Sequence, residues 1–412
     1  MSATIKHIEI KGVQIPVIFE EQKALPILNL QLVFQNSGYI QDKNKSGLVN
    51  LSSKLLNEGT KELGVTKFAE QLEENAISLN TSNGFETFVI ELSNLKEQSN
   101  KGINLLTQLL KSPNYSKSTL EKLKTIQTGA LKRKENDFDY VSSNQLKSIL
   151  FKNTALENPA SGTVESISKI KLKDIEKFIN QTICLENLII VAGGDYEINE
   201  FEKLVKPLLE TLNSGKKLEL EKINFTSKKE EKELIKDTQQ AYIYFGSSFN
   251  VDSKDEENYK AKVASFILGG SGFGSRLMEE IRVKRGLAYS AYGSISINKS
   301  YSYFNGYLQT KNESANEAKQ LVSQLVEEFV NNGVTQEELI AAKNFLTGSE
   351  PLRSETLSQR LNRAFTLYYR GLESDYSIKE LEKIQNLELA DLNNYIKSHN
   401  EINNLTFSIV RK

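Results

Sequence analysis

Residues 116–129 read Ser-Lys-Ser-Thr-Leu-Glu-Lys-Leu-Lys-Thr-Ile-Gln-Thr-Gly, and residues 335–348 read Thr-Gln-Glu-Glu-Leu-Ile-Ala-Ala-Lys-Asn-Phe-Leu-Thr-Gly. At a constant offset of 219, Ser116 meets Thr335, Leu120 meets Leu339, Lys124 meets Lys343, Thr128 meets Thr347 and Gly129 meets Gly348. Both stretches open as helices. In the second, the Thr335 hydroxyl is placed to accept from the amide three residues on while Glu338 reaches back, a capping box. A long-range match of this kind marks one structural unit used twice.

The ends of the halves match too. Asp174-Ile175-Glu176-Lys177-Phe178 followed by Asn187-Leu188-Ile189-Ile190-Val191 corresponds, at an offset of 217, to Asp391-Leu392-Asn393-Asn394-Tyr395 followed by Asn404-Leu405-Thr406-Phe407-Ser408. Each reads as a short helix and then a strand. The starts agree in pattern only, with strands at 27–34 and 240–245 and then a loop, a helix, a glycine and another helix. Ile103, Leu106 and Leu110, like Leu321, Leu325 and Phe329, have the spacing of a helix packed on one face. Tyr301, Tyr303 and Tyr307 lie in a stretch with the aromatic content and alternation of a strand. The expected fold is α+β: two tandem homologous domains, each a mainly antiparallel sheet covered by helices. The boundaries fall at 1–212 and 234–412, joined by a Lys/Glu-rich linker at 213–233.

Composition narrows the function. The 412 residues carry 52 basic and 53 acidic side chains, a net charge of -1 that makes no electrostatic case for nucleic acid as a partner. The single cysteine, Cys184, excludes a disulfide framework and a cysteine-built zinc site, and its apolar neighbours make it a buried small hydrophobe. No apolar run reaches the roughly 18 residues of a membrane span, and residues 1–7 lack the apolar stretch of a signal peptide. The expected location is cytoplasmic, or periplasmic where a leader has been removed. Gly269-Gly270-Ser271-Gly272-Phe273-Gly274 follows a helical segment and lacks a Lys-Ser ending, so it reads as a mobile break between helices and not as a phosphate loop. Glu70, Glu73 and Glu74 read as a solvated helix face.

Ser275-Arg276-Leu277-Met278-Glu279-Glu280-Ile281-Arg282-Val283-Lys284-Arg285-Gly286-Leu287-Ala288-Tyr289-Ser290 contains an arginine and a tyrosine seven residues apart in the pattern R-x-K-x-x-L-x-Y. With the duplicated α+β layout, this stretch resembles the second domain of the pitrilysin, insulin-degrading and mitochondrial-processing peptidase family. Residues 333–350 fit the same pattern. In that family the first domain carries the inverted zinc motif H-x-x-E-H. Here the matching stretch is Gly47-Leu48-Val49-Asn50-Leu51-Ser52-Ser53-Lys54-Leu55-Leu56-Asn57-Glu58-Gly59-Thr60. Asn50 stands for the first histidine, Ser53 for the glutamate base and Lys54 for the second histidine. The resemblance places the third ligand, a downstream glutamate, near Gly129. Neither of the two histidines, His7 and His399, lies near this motif, and a zinc site built from them is not expected.

The resemblance implies that Arg282 and Tyr289 bind a substrate backbone and stabilise the oxyanion formed on its carbonyl. Alone, Arg282 would read as a surface ion-pair residue and Tyr289 as a core aromatic; the shared signature favours a role. The expectation is therefore a non-catalytic subunit with no cofactor of its own. It would pair with a zinc-bearing relative, or with itself, and act on peptide or unfolded polypeptide. The alternatives are a stand-alone zinc endopeptidase with an atypical metal site, and a non-enzymatic peptide-binding scaffold.

Overall fold

Alternating apolar residues build two sheets. In the computed structural model, which describes residues 3–412, the first sheet holds β1 (Thr4–Ile10), β2 (Val13–Glu21), β3 (Ile27–Gln35), β4 (Ser78–Asn83), β5 (Thr87–Leu95) and β6 (Leu188–Gly194) in the order β1-β2-β6-β3-β5-β4. The second holds β7 (Glu231–Ile235), β8 (Gln240–Ser248), β9 (Ala288–Ile297), β10 (Ser302–Lys311) and β11 (Thr406–Arg411) in the order β7-β11-β8-β10-β9. The duplication is visible in this topology: β7 to β11 repeat β2 to β6 strand for strand, and β1 is an addition at one edge. Pairing is antiparallel except for β2 with β6 and β7 with β11. Two mixed sheets covered by helices make up the α+β fold.

Leu28, Leu30, Leu32 and Phe34 of β3, with Phe88, Ile90 and Leu92 of β5, point to one face and bury against Leu51, Leu55, Leu106, Phe201 and Leu208 from helices. The other face is also covered. Ile18, Val33, Ile189 and Val191 are fully buried outside that core. A side chain at Gly193 would meet Leu357 at 3.1 Å and Leu361 at 3.2 Å, so the Leu357–Arg370 helix lies directly on the sheet there. The second sheet repeats this. Phe245, Phe304 and Phe407 face one core. On the opposite face the Phe138–Leu150 helix sets Leu146 and Leu150 over Gly246 and hydrogen-bonds through Ser142 to Ser408.

These helices divide the chain differently from the sequence boundaries. Of the described residues, unit one comprises 3–132, Asn158–Leu220 and Arg353–Thr366, and unit two comprises Arg133–Glu157, Glu221–Leu352 and Leu367–Lys412. A boundary at 212–234 follows the repeat in chain order. Packing follows which helix covers which sheet, so 133–157 and 353–366 change sides. The charged linker also ends early: Glu231, Lys232 and Glu233 open β7, an edge strand whose charged side chains stay in solvent. Cys184 is buried, with its thiol raised by burial and contacted by the Asn187 amide. Glu70, Glu73 and Glu74 lie exposed on the Gly64–Glu73 helix and at its end. No helix of the described residues is long and apolar enough to cross a membrane. Met1 and Ser2 of the N-terminal stretch lie outside the described residues.

Candidate functional site

The Leu48–Leu56 helix begins at Gly47, whose φ of +89 is open to glycine at little cost. The Asp42 carboxyl caps it, accepting from the backbone N–H of Gly47 at 2.7 Å and Val49 at 2.9 Å. One face buries Leu48, Leu51, Leu55 and Leu56. Asn50, Ser53 and Lys54, three and four residues apart, fall together on a neighbouring face.

The structure joins these three into one network. Gln127, buried on the Lys117–Lys134 helix, donates through Nε2 to Asn50 Oδ1 at 3.0 Å and to the Ser161 carbonyl at 2.6 Å. Its Oε1 accepts from Lys54 Nζ. Ser53 Oγ donates to the Asn50 carbonyl at 2.9 Å and lies 3.1 Å from Asn83 Oδ1 of β4. Gly129 has no part in this cluster. It sits two residues beyond Gln127, about 200° further round the helix, and the residue that reaches Asn50 and Lys54 is Gln127. The repeat itself held a signal for it. At the offset of 219, Gln127 pairs with Leu346, a buried core residue. An amide where the other half keeps an apolar side chain needs partners, and these are the partners.

Arg282 and Tyr289 lie in unit two and are brought together. The helix leading to Arg282 widens into a π turn over Glu279–Val283, a local irregularity often found at functional sites. Tyr289 sits on a β-bulge: Leu308 faces Ala291 and Thr310 faces Ala288, so Gln309 alone stands opposite Tyr289 and Ser290. Bulges re-aim side chains, and Tyr289 is turned outward with 81% of its surface exposed. The Arg282 guanidinium lies 4.6 Å from the Tyr289 ring centre and 4.7 Å from that of Phe273. Phe273 is itself 70% exposed, between Gly272 and Gly274, which both have positive φ.

The neighbouring cations show what an ordinary structural role looks like here. Arg276 makes a two-pronged ion pair with Glu338 at 2.5 and 2.6 Å, and a further bond to the Gly333 carbonyl. Lys284 and Arg285 share Glu280 and hold its carboxyl below the usual range. Arg282 has no carboxylate partner among the described residues. The ion-pair reading therefore suits Arg276 and Arg285, and the core-aromatic reading does not suit Tyr289.

Two family descriptions match the sequence: "Insulinase (Peptidase family M16)" over residues 17–164 and "Peptidase M16 inactive domain" over residues 169–346. The "Non-peptidase homolog YmxG" of Helicobacter pylori is 46% identical over 409 residues, covering 99% of this chain and 94% of that protein. The chain belongs to peptidase family M16. A second relative, the "Uncharacterized zinc protease YmxG" of Bacillus subtilis, is 22% identical over 318 residues, 77% of each chain. Among solved structures, a peptidase M16 inactive domain protein from Pseudomonas fluorescens superposes with a TM-score of 0.91 at 22% identity, covering 99% of this chain and 98% of that one. A protease from Helicobacter pylori does so with a TM-score of 0.85 at 16% identity over all of both chains. These two likenesses carry the fold alone.

M16 membership raises the question of zinc at the Leu48–Leu56 helix. A catalytic zinc takes about three nitrogen, sulfur or carboxylate ligands and leaves one position for water. The side chains gathered at Asn50 are two amides, a hydroxyl and an ammonium, and the Gln127 amide is already engaged with Asn50, Ser161 and Lys54. This donor set does not fit zinc. Among the described residues no group of three His, Cys, Asp or Glu side chains is placed to hold a metal ion. His7 is exposed on β1, and His399 faces Glu401 between Phe249 and Tyr395.

Proposed function

We propose that this chain is a non-catalytic M16 subunit that binds peptide and lends Arg282 and Tyr289 to a zinc-bearing relative. The observation that carries this reading is the state of Arg282. Its guanidinium is steadied by two exposed rings, while no carboxylate among the described residues takes its charge. An arginine kept in this way presents a permanent cation and several N–H donors to an incoming carbonyl. Tyr289 adds a neutral hydroxyl. Such donors act where negative charge develops on the attacked carbonyl oxygen. The Asn50–Gln127–Lys54 network offers neither a zinc-type donor set nor a carboxylate base, so in this reading the attacking water and its activation belong to the partner. The name "non-peptidase homolog" borne by the Helicobacter relative supports the same reading.

The test is co-purification of the tagged chain from its native host, followed by zinc and peptidase assays on chain and complex. The chain alone is expected to carry substoichiometric zinc and to cleave nothing. In the reconstituted pair, Arg282→Ala lowers kcat/KM by roughly 10²–10³-fold, the usual effect of losing one oxyanion donor. Stoichiometric zinc with peptidase activity in the isolated chain would falsify the proposal. An Arg282→Ala pair with full activity would leave this chain a scaffold.

A further inference from the structure

The glycine-rich loop 269–274 reads in sequence as a mobile break, yet the structure ties it at both ends. At its root Gly269 lies so close to β9 that a side chain there would meet the Gly293 nitrogen at 2.5 Å, and the Ser271 N–H donates to the Phe266 carbonyl at 3.2 Å. At its far end the fully buried Ser275 donates twice to the Gly272 carbonyl, through its N–H at 3.0 Å and its Oγ at 2.7 Å. Residues 272–275 therefore form a closed β-turn, with the positive φ of Gly274 at the third position, as a type II turn requires.

Phe273 stands at the second position of this turn. The glycines on either side meet the turn's conformational demand, and Phe273 itself has no positive φ, so the backbone sets no need for a ring there. The ring meets the Arg282 guanidinium at 4.7 Å, and most of its surface stays in solvent. Apolar exposure continues around it. Val283, next to Arg282 in the chain, is 55% exposed, and Phe345, whose ring lies 4.9 Å from that of Phe266 at the root of the loop, is 54% exposed. Grouped apolar exposure of this kind marks a contact surface. Its chemistry also selects what it takes. A charged or hydroxylated side chain laid on the Phe273 ring gives up water and finds no partner there. An apolar one gains by the same burial. An acidic side chain would turn to Arg282 instead, and there it competes with the main-chain carbonyl assigned to that guanidinium.

We propose that Phe273 is a specificity-determining residue, whose ring packs against a bulky aliphatic or aromatic side chain of the peptide beside the carbonyl that Arg282 binds. The substrate class is then unfolded polypeptide, engaged at its apolar residues. This inference rests on the peptide-binding role of Arg282 proposed above and adds the side chain that the site prefers.

Fluorescence anisotropy on the full chain, without a partner subunit, decides it. The probes are short fluorescein-labelled Gly/Ser peptides, amidated at the end, that carry one central guest residue: Phe, Leu, Ser or Glu. The Phe and Leu peptides are expected to bind roughly tenfold tighter than the Ser and Glu peptides, the gain from burying one such side chain. Phe273→Ser removes that preference, whereas Arg282→Ala weakens all four peptides alike. The proposal is overturned where no peptide binds the wild-type chain, where the four bind equally, where the preference survives Phe273→Ser, or where the Glu peptide binds tightest and so makes Arg282 a carboxylate site. The guest comparison uses wild-type protein and stands even when a variant does not fold. It needs neither zinc nor cleavage, so its failure is distinct from a failure of the peptidase reading, which the assays on the reconstituted pair decide.

Discussion

Asp42 is a single residue with a measurable signature. Burial raises its carboxyl from 3.8 to about 7, against the opposing pull of the backbone N–H groups of Val49, Gly47 and Leu48. A carboxyl whose folded value exceeds its unfolded one holds its proton longer in the folded state. Its contribution to stability is therefore present below about pH 4 and is lost as pH rises toward 7. Thermal midpoints recorded between those limits should fall with rising pH, and Asp42→Asn should flatten that part of the profile. An unchanged slope would remove Asp42 as its source. At this scale most residues of the candidate site could be named from the sequence. Asn50, Ser53 and Lys54 were named by the resemblance to the inverted zinc motif, and Arg282 and Tyr289 by the resemblance to a short signature. Gln127 was not, because its role depends on which turn of a distant helix faces Asn50.

Among the elements, the Leu357–Arg370 helix shows how much one ion pair holds. Glu20, 3% exposed on β2, accepts from Arg360 Nε at 2.8 Å, and its other carboxylate oxygen is buried without a partner. Arg360→Met leaves a buried carboxylate uncompensated and should cost roughly 3–5 kcal/mol in urea unfolding. Removing Glu20 as well, with Glu20→Met in the same chain, should recover most of that loss. A single variant as stable as the parent would mean that the pair contributes nothing to docking this helix. Gly193 belongs to the same contact, since any side chain there would strike Leu357 and Leu361. Helix and strand periods identified these elements in the sequence. Their partners did not follow from the periods, because an apolar stripe specifies that a face is buried and not what buries it.

For the molecule as a whole, the interleaved units make a clear prediction. A fragment covering 221–412 lacks the Phe138–Leu150 helix, which sets Leu146 and Leu150 on Gly246 and Phe138 against Tyr242. Expressed alone, it should aggregate or bind hydrophobic dye. Adding a peptide of residues 133–157 should restore a cooperative unfolding transition, and a fragment that melts sharply without it would show that the exchanged helix is dispensable. Sequence alone determined the duplication, the α+β class, the family and the residue types at positions 50, 53 and 54. These depend on residue identity and on local periods of two and 3.6. Tertiary structure alone decided that the helices change sides, that Gln127 closes the former motif, and that Arg282 rests between Phe273 and Tyr289. The first two are contacts between segments far apart in the chain, and local pattern carries no information about which distant surface will exclude water from it; the third joins near neighbours, and depends on how a π turn and a β-bulge aim their side chains.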